Sequence, residues 1–137
     1  MPDQLQVRLV TPERILVDTT ADAVELPARN GYIEVLFGHT PLLSELGAGE
    51  VRLHGGHAGE QRYNVNWGFV EVLPERVSIL AEAALKPEEI DTARAQKQLE
   101  RGQKMWNEAG EDAEKYEEAN RKIAEAESKL ESAATKS

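Results

Sequence analysis

The chain contains no cysteine. That excludes disulfides, thiolate nucleophiles and thiolate zinc sites, and it fits a reducing compartment. Aromatic residues make up only 5% of the sequence, and 16 Lys and Arg face 25 Asp and Glu, a formal charge of -9. So acidic a surface is unsuited to phosphate-dominated partners, so neither nucleic acid nor anionic lipid is expected as the main one. No apolar run approaches the ~20 residues of a membrane-spanning helix. The N-terminus, Met1-Pro-Asp-Gln-Leu-Gln-Val-Arg8, has no basic n-region. An intracellular chain, soluble or peripheral and without membrane insertion, is the expectation. Catalytic motifs are missing as well: no GxSxG, no Gly-Lys-Ser/Thr loop, and no HxH or HExxH among His39, His54 and His57. His54 and His57 flank Gly55-Gly56 and read as a solvated turn rather than a metal site. The acid pairs Glu88-Glu89 and Glu117-Glu118 read as helix-surface solvation, not as general acid and base. Nothing assembles into a self-sufficient active site, so the chain is read as non-enzymatic.

What is present divides at Pro87, the last proline of the sequence. Before it, apolar residues alternate: Leu5, Val7 and Leu9 against Gln4, Gln6 and Arg8, the period-two mark of a half-buried strand. Thr11-Pro12-Glu13 makes a turn, and Ile15, Leu16 and Val17 a short second strand. Val24 and Leu26 form a third, which Pro27 is expected to stop. Asn30-Gly31 turns the chain into Ile33 and Val35. After a break at Phe37-Gly38 come a small apolar run at Leu42-Leu43, then Val51 and Leu53. Tyr63, Val65, Trp67 and Phe69 share one parity while Val70 and Val72 take the other, which predicts a bulge near Gly68. Val77, Ile79 and Leu80 form the last strand. Many short strands with turn residues between them predict an antiparallel β-sandwich or flattened barrel over residues 1–86.

Beyond the boundary the period becomes helical. Pro87 is placed at a first helical position, with Glu88, Glu89 and Asp91 at the positive end of the helix dipole. Ala95, Leu99, Gly102 and Trp106 make one stripe, ended at Asn107-Glu-Ala-Gly110 by a left-handed cap. A second helix runs from about Asp112 to about Ala134, with the seam Tyr116, Ala119, Ile123, Ala126, Leu130 and Ala133. A connection this short makes an antiparallel hairpin over residues 87–137, so the fold class is α+β. Half of the seam is alanine, so the hairpin is expected to be lightly held and able to exchange packing partners. One polar constellation stands out in Ile90-Asp91-Thr92-Ala93-Arg94-Ala95. Asp91 and Arg94 are three apart, which suits either a surface ion pair or a nucleotide held by carboxylate and guanidinium.

At these residues the chain resembles the epsilon-subunit family of F-type ATP synthases. The markers are Val7-Arg-Leu-Val-Thr-Pro12, Gly31-Tyr-Ile33, Gly38-His-Thr-Pro-Leu-Leu43, Gly68-Phe-Val-Glu-Val72, Val77-Ser-Ile-Leu-Ala81 and the Ile-Asp-x-x-Arg-Ala run at 90–95. Their order and spacing cover nearly the whole chain. The resemblance implies a non-catalytic rotor subunit of the central stalk, on the cytoplasmic face of a bacterial membrane. Its partners would be the gamma subunit, the c-ring and the α and β subunits of the catalytic head. It implies that Gly31, Tyr32 and Ile33 face the ring, that His39, Pro41 and Leu42 lie toward gamma, and that the hairpin regulates hydrolysis. It also implies ATP as a regulatory ligand, with no required cofactor, at Ile90, Asp91, Arg94 and Ala95. Residues 111–137 hold eight acids against five bases, so electrostatic inhibition through acidic β-subunit surfaces is expected to be weak. The rival reading from residues alone is a stand-alone β-sandwich adaptor whose hairpin grips a coiled coil. A third is a small metal-dependent enzyme using the three histidines.

Overall fold

The computed structural model describes residues 4–135. Two compact units make up the chain, one ending at Lys86 and one beginning at Pro87. Among the described residues the first contains eight strands: β1 (Leu5–Val10), β2 (Ile15–Ala21), β3 (Ala23–Ala28), β4 (Gly31–Leu36), β5 (Leu42–Leu46), β6 (Gly49–His54), β7 (Gln61–Leu73) and β8 (Arg76–Leu85). Alternation does what the sequence predicts in β1, where Leu5, Val7 and Leu9 are buried and Gln6 and Arg8 exposed. The strands follow the order β2-β1-β8-β7-β5-β3-β4, with β6 bridging β3 and β7. Strand β7 pairs with β6 through Gln61 to Val65 and with β5 through Gly68 to Val72. Because β3 meets both β6 and β5, the sheet returns on itself around a core that includes Leu26, Val51, Val65, Val70 and Ile79. All pairings are antiparallel except β1 with β8, which run parallel from Gln6 opposite Arg76 to Val10 opposite Leu80.

Three local expectations are corrected. Pro27 does not stop β3, which continues to Ala28. Proline is tolerated there because Pro27 falls between the β6 pairing at Ala23 to Glu25 and the β5 pairing at Ala28, where its missing N–H costs no ladder bond on that edge. Its carbonyl still accepts the Gly47 N–H at 2.8 Å. Near Gly68 there is no inserted residue: β7 and β8 keep one register on both sides of Trp67. Instead Trp67 (φ 52) and Gly68 (φ 123) kink the strand. The inward face passes from Tyr63 and Val65 to Val70 and Val72, and in β8 from Ile79 and Ala81 to Ala84. Finally, the last strand, read from Val77, Ile79 and Leu80, is longer than those residues and runs from Arg76 to Leu85.

In the second unit Pro87–Glu89 is a 3-10 turn, followed by α1 (Thr92–Glu108) and α2 (Ala113–Ala134). Pro87 therefore opens the short turn, and α1 starts later, at a cap made by Asp91. The predicted left-handed residue after α1 is Gly110, with φ 61, and Asp112 caps α2 by accepting from the Glu114 and Lys115 N–H groups. Buried residues fall at Ala95, Gly102 and Ala109, then Ala119, Ala126 and Ala133, with Ser132 beside them. These heptad steps of small residues draw the helices close. A Cβ on Gly102 would lie 2.8 Å from Ile123 Cγ1 and 3.3 Å from its backbone nitrogen. The larger seam residues Tyr116, Ile123 and Leu130 are half-buried at its margin, and Trp106 meets Tyr116 edge to face at 5.5 Å.

Candidate functional site

Strand pairing puts an apolar row on the outer face of the first unit. Phe69 lies opposite Leu80, Leu80 opposite Val10, and Val10 opposite Ile15, so four apolar side chains follow one another across β7, β8, β1 and β2. Their neighbours Val70, Ile79 and Leu9 are buried, and Leu16 packs against the core beside Ile15 where the β1–β2 register shifts, so the row faces away from the core. Phe69, Leu80 and Ile15 are 54%, 58% and 55% exposed, about half of each side chain remaining in water. Leu43 of β5 stands diagonally from Phe69, since its direct partner is Glu71 and that of Phe69 is Glu45. A continuous apolar strip on an otherwise charged domain marks a surface made to be covered. The strip leaves a mark in sequence: apolar doublets at Leu9-Val10, Ile15-Leu16, Leu42-Leu43, Phe69-Val70 and Ile79-Leu80, where strict alternation would place a polar residue.

The partner residues expected from the resemblance fall at two places. Gly31 opens β4 with φ 128 and Tyr32 is exposed, while Ile33 turns its side chain onto the core. His39 and the exposed Pro41 and Leu42 lie beyond the other end of β4, which is ~17 Å long. The two groups therefore do not form one site. The second group adjoins the β7–β8 turn, where Gly38 N–H donates to the Pro74 carbonyl at 2.6 Å and His39 N–H to that of Leu36 at 3.1 Å. Tyr32 is anchored from behind: its hydroxyl accepts the Glu50 N–H at 2.9 Å and lies so close to Gly49 that a Cβ there would collide with it.

Beside Tyr32 runs an ionic network. Glu50, buried in β6, is gripped by Arg62 and by Arg52 Nε at 2.9 Å. Arg52 Nη1 also reaches Glu25 Oε2 at 3.3 Å, and its guanidinium carbon lies 5.8 Å from the Tyr32 ring centroid. Its hydrogen bond to Glu50 raises the Arg52 pKa further above its already high ordinary value. His54 extends the network to Glu60, so the histidine turn is not simply solvated, contrary to the sequence reading. Among the described residues no group of three or more His, Cys, Asp or Glu is placed to hold a metal.

At the start of α1 the structure separates the four residues assigned to nucleotide. Asp91 Oδ1 accepts the Arg94 backbone N–H at 3.0 Å, so this carboxylate caps the helix instead of pairing with the guanidinium. Arg94 is exposed, Ile90 is half-buried and Ala95 is buried. Asp91→Ala is expected to cost the hairpin about 1 kcal/mol through loss of the cap, while Asp91→Ser keeps most of it. Amide exchange at residues 92–95 checks this; equal protection in both variants would contradict the capping role.

No helix among the described residues is long and apolar enough to cross a membrane. Residues 4–87 match the family described as ATP synthase, Delta/Epsilon chain, beta-sandwich domain. An ATP synthase epsilon chain from Koribacter versatilis is 43% identical over 111 residues, 80% of this chain and 77% of that one. Another from Solibacter usitatus is 46% identical over 105 residues, 76% of this chain and 77% of that one. A chain of the Euglena gracilis mitochondrial ATP synthase, in an OSCP/F1/c-ring structure, shares the fold with a TM-score of 0.80 at 22% identity, over 98% of this chain and 84% of its own. With its sandwich matched throughout and relatives this similar over most of its length, the chain belongs to the ATP synthase delta/epsilon family.

Proposed function

We propose that this chain is the non-catalytic epsilon-type subunit of a bacterial F-type ATP synthase, working in the central stalk and binding the gamma subunit through the outer face of its sandwich. The observation that carries the assignment of the face is the apolar row Phe69, Leu80, Val10 and Ile15. Covering the exposed half of three such side chains contributes roughly 3 kcal/mol, enough to anchor a partner helix but small enough to leave the isolated subunit soluble. His39, Pro41 and Leu42, beside the β7–β8 turn at one end of the sandwich, are assigned to gamma as well. Gly31, Tyr32 and Ile33, at the far end of β4, serve the c-ring, with Tyr32 held rigid by Glu50 and Arg52. The subunit sits peripherally at the cytoplasmic face of the membrane. Family membership favours this reading over the adaptor, which would use the same apolar face for a coiled coil of another complex.

The hairpin is assigned regulation of hydrolysis at the α and β subunits, with ATP as its ligand. Support for ATP lies in the exposed Arg94 beside the N-terminus of α1, a cation next to a helix end that favours anions. Because Asp91 is a cap, Arg94→Ala and the cap-preserving Asp91→Ser are the informative variants for calorimetric titration with ATP. The division of labour between the units is tested by a chain ending at Lys86. It is expected to keep a cooperative thermal transition and to co-purify with gamma as the full chain does. An unfolded fragment, or a folded one that gamma ignores, would overturn the assignment of partner binding to the sandwich.

A further inference from the structure

His54, the last residue of β6, stands between two carboxylates. Its Nδ1 lies 2.6 Å from Glu60 Oε1, and its Nε2 lies 3.3 Å from Glu25 Oε1 of β3. Glu60 also accepts the Gly55 N–H at 2.7 Å through its other oxygen, closing the turn that follows β6. A neutral imidazole has one N–H and one lone pair, so it satisfies one carboxylate and turns a lone pair toward the other. Only the imidazolium suits both. We propose that His54 is a proton-operated clasp, which ties the turn at residues 55–60 to β3 when charged and lets go of β3 when it loses its proton.

The geometry says which bond yields. The Glu60 contact is a short hydrogen bond, whereas the buried Nε2 faces Glu25 without an aligned hydrogen bond and is held there by charge alone. Deprotonation leaves the Nδ1–H with Glu60 and removes the reason for Nε2 to face Glu25. Glu25 is then left to Arg52, which carries the network on to Tyr32. The other charges around the ring are Arg52 on its own strand, with Glu50 and Arg62 behind it, His57 in the turn, and Asp22. The Asp22 carboxylate occupies the space a Cβ on Gly55 would need. Glu60 and Glu25 favour the imidazolium. The hydrogen bond to Glu60 raises the His54 pKa above 6.5, against the effect of burial, and the same bond lowers the Glu60 pKa below 4.5. A raised histidine pKa gives stability that is complete below about pH 6.5 and fades as pH climbs through the folded value. A lowered glutamate pKa gives stability present above about pH 4.5 and lost as pH falls through its folded value. The clasp is whole between those two folded pKa values.

The test is a pH titration of the His54 ring by NMR in the full chain, with amide exchange of residues 55–59 followed over the same range. The expected His54 midpoint lies above 6.5 and falls in both Glu60→Gln and Glu25→Gln. Protection of the turn, corrected for intrinsic exchange, should drop several-fold across that midpoint and become independent of pH in His54→Gln. Glu60 is at the surface, so its variant is not expected to disturb folding. A midpoint at or below 6.5, one left in place by either carboxamide, or protection that is flat across the titration would overturn the clasp.

Discussion

Gly68→Ala should unfold the sandwich or come close to it, with a loss above about 4 kcal/mol, in the range reached only by a few severe mechanisms. Gly68 has φ 123, a conformation that L side chains rarely adopt, and a Cβ there would run into the Leu80 carbonyl oxygen. The same atom would lie 3.0 Å from the Leu80 carbonyl carbon and 3.1 Å from Ala81 Cα. These are backbone atoms of the strand that Gly68 pairs with, so relief requires breaking the β7–β8 ladder where the inward face of both strands changes. Backbone strain alone costs about 1–3 kcal/mol, and the lost ladder adds to it. Against a typical domain stability of about 5–15 kcal/mol, little remains. Gly59→Ala is the matched control. Gly59 is also left-handed, at φ 73, but nothing lies within 4 Å of its added Cβ, so only the strain of roughly 1 kcal/mol is expected. Urea midpoints of the two variants make the comparison; a Gly68→Ala loss no larger than that of Gly59→Ala would mean that the kink is not fixed by this contact.

The kink also illustrates what could be read in advance. The parity change between Val65 and Val70 is visible in the sequence, because burial selects side chains by face, and it located the irregularity to within a residue. Its form was not visible, since a bulge and a register-preserving kink produce the same change of parity in one strand. The parallel pairing of β1 with β8 left no local mark at all: its partners are far apart in the chain, and each strand alternates as it would in either pairing. Helix ends were closer to legible. Gly110 and Asp112 fall where composition places them, but the role of Asp91 is not legible, because spacing alone does not distinguish a carboxylate bonded to the Arg94 backbone from one bonded to its guanidinium. Likewise the His54 turn resembled a solvated loop until folding brought Glu25 to it from β3. The apolar row is written in doublets such as Ile79-Leu80, but a doublet does not say which strands lie side by side, so the row emerges only with the pairing of β7, β8, β1 and β2.

That row bears the central claim, and its disruption is expected to have the largest effect on function. Phe69 and Leu80 are direct cross-strand neighbours in the β7–β8 half of the row, and both point away from the core, so glutamates there leave the fold intact. On a covered interface the two carboxylates must be desolvated without partners, and the apolar contacts are lost as well. A loss of at least about 2.7 kcal/mol, or roughly 100-fold in affinity, is the conservative expectation. The measurement is the dissociation constant between the gamma subunit and the full chain carrying Phe69→Glu and Leu80→Glu, with far-ultraviolet circular dichroism and the thermal midpoint as the check on folding. A folded double variant that binds gamma at least 100-fold more weakly than the parent is the predicted result; a folded double variant that binds gamma as tightly as the parent would contradict the account.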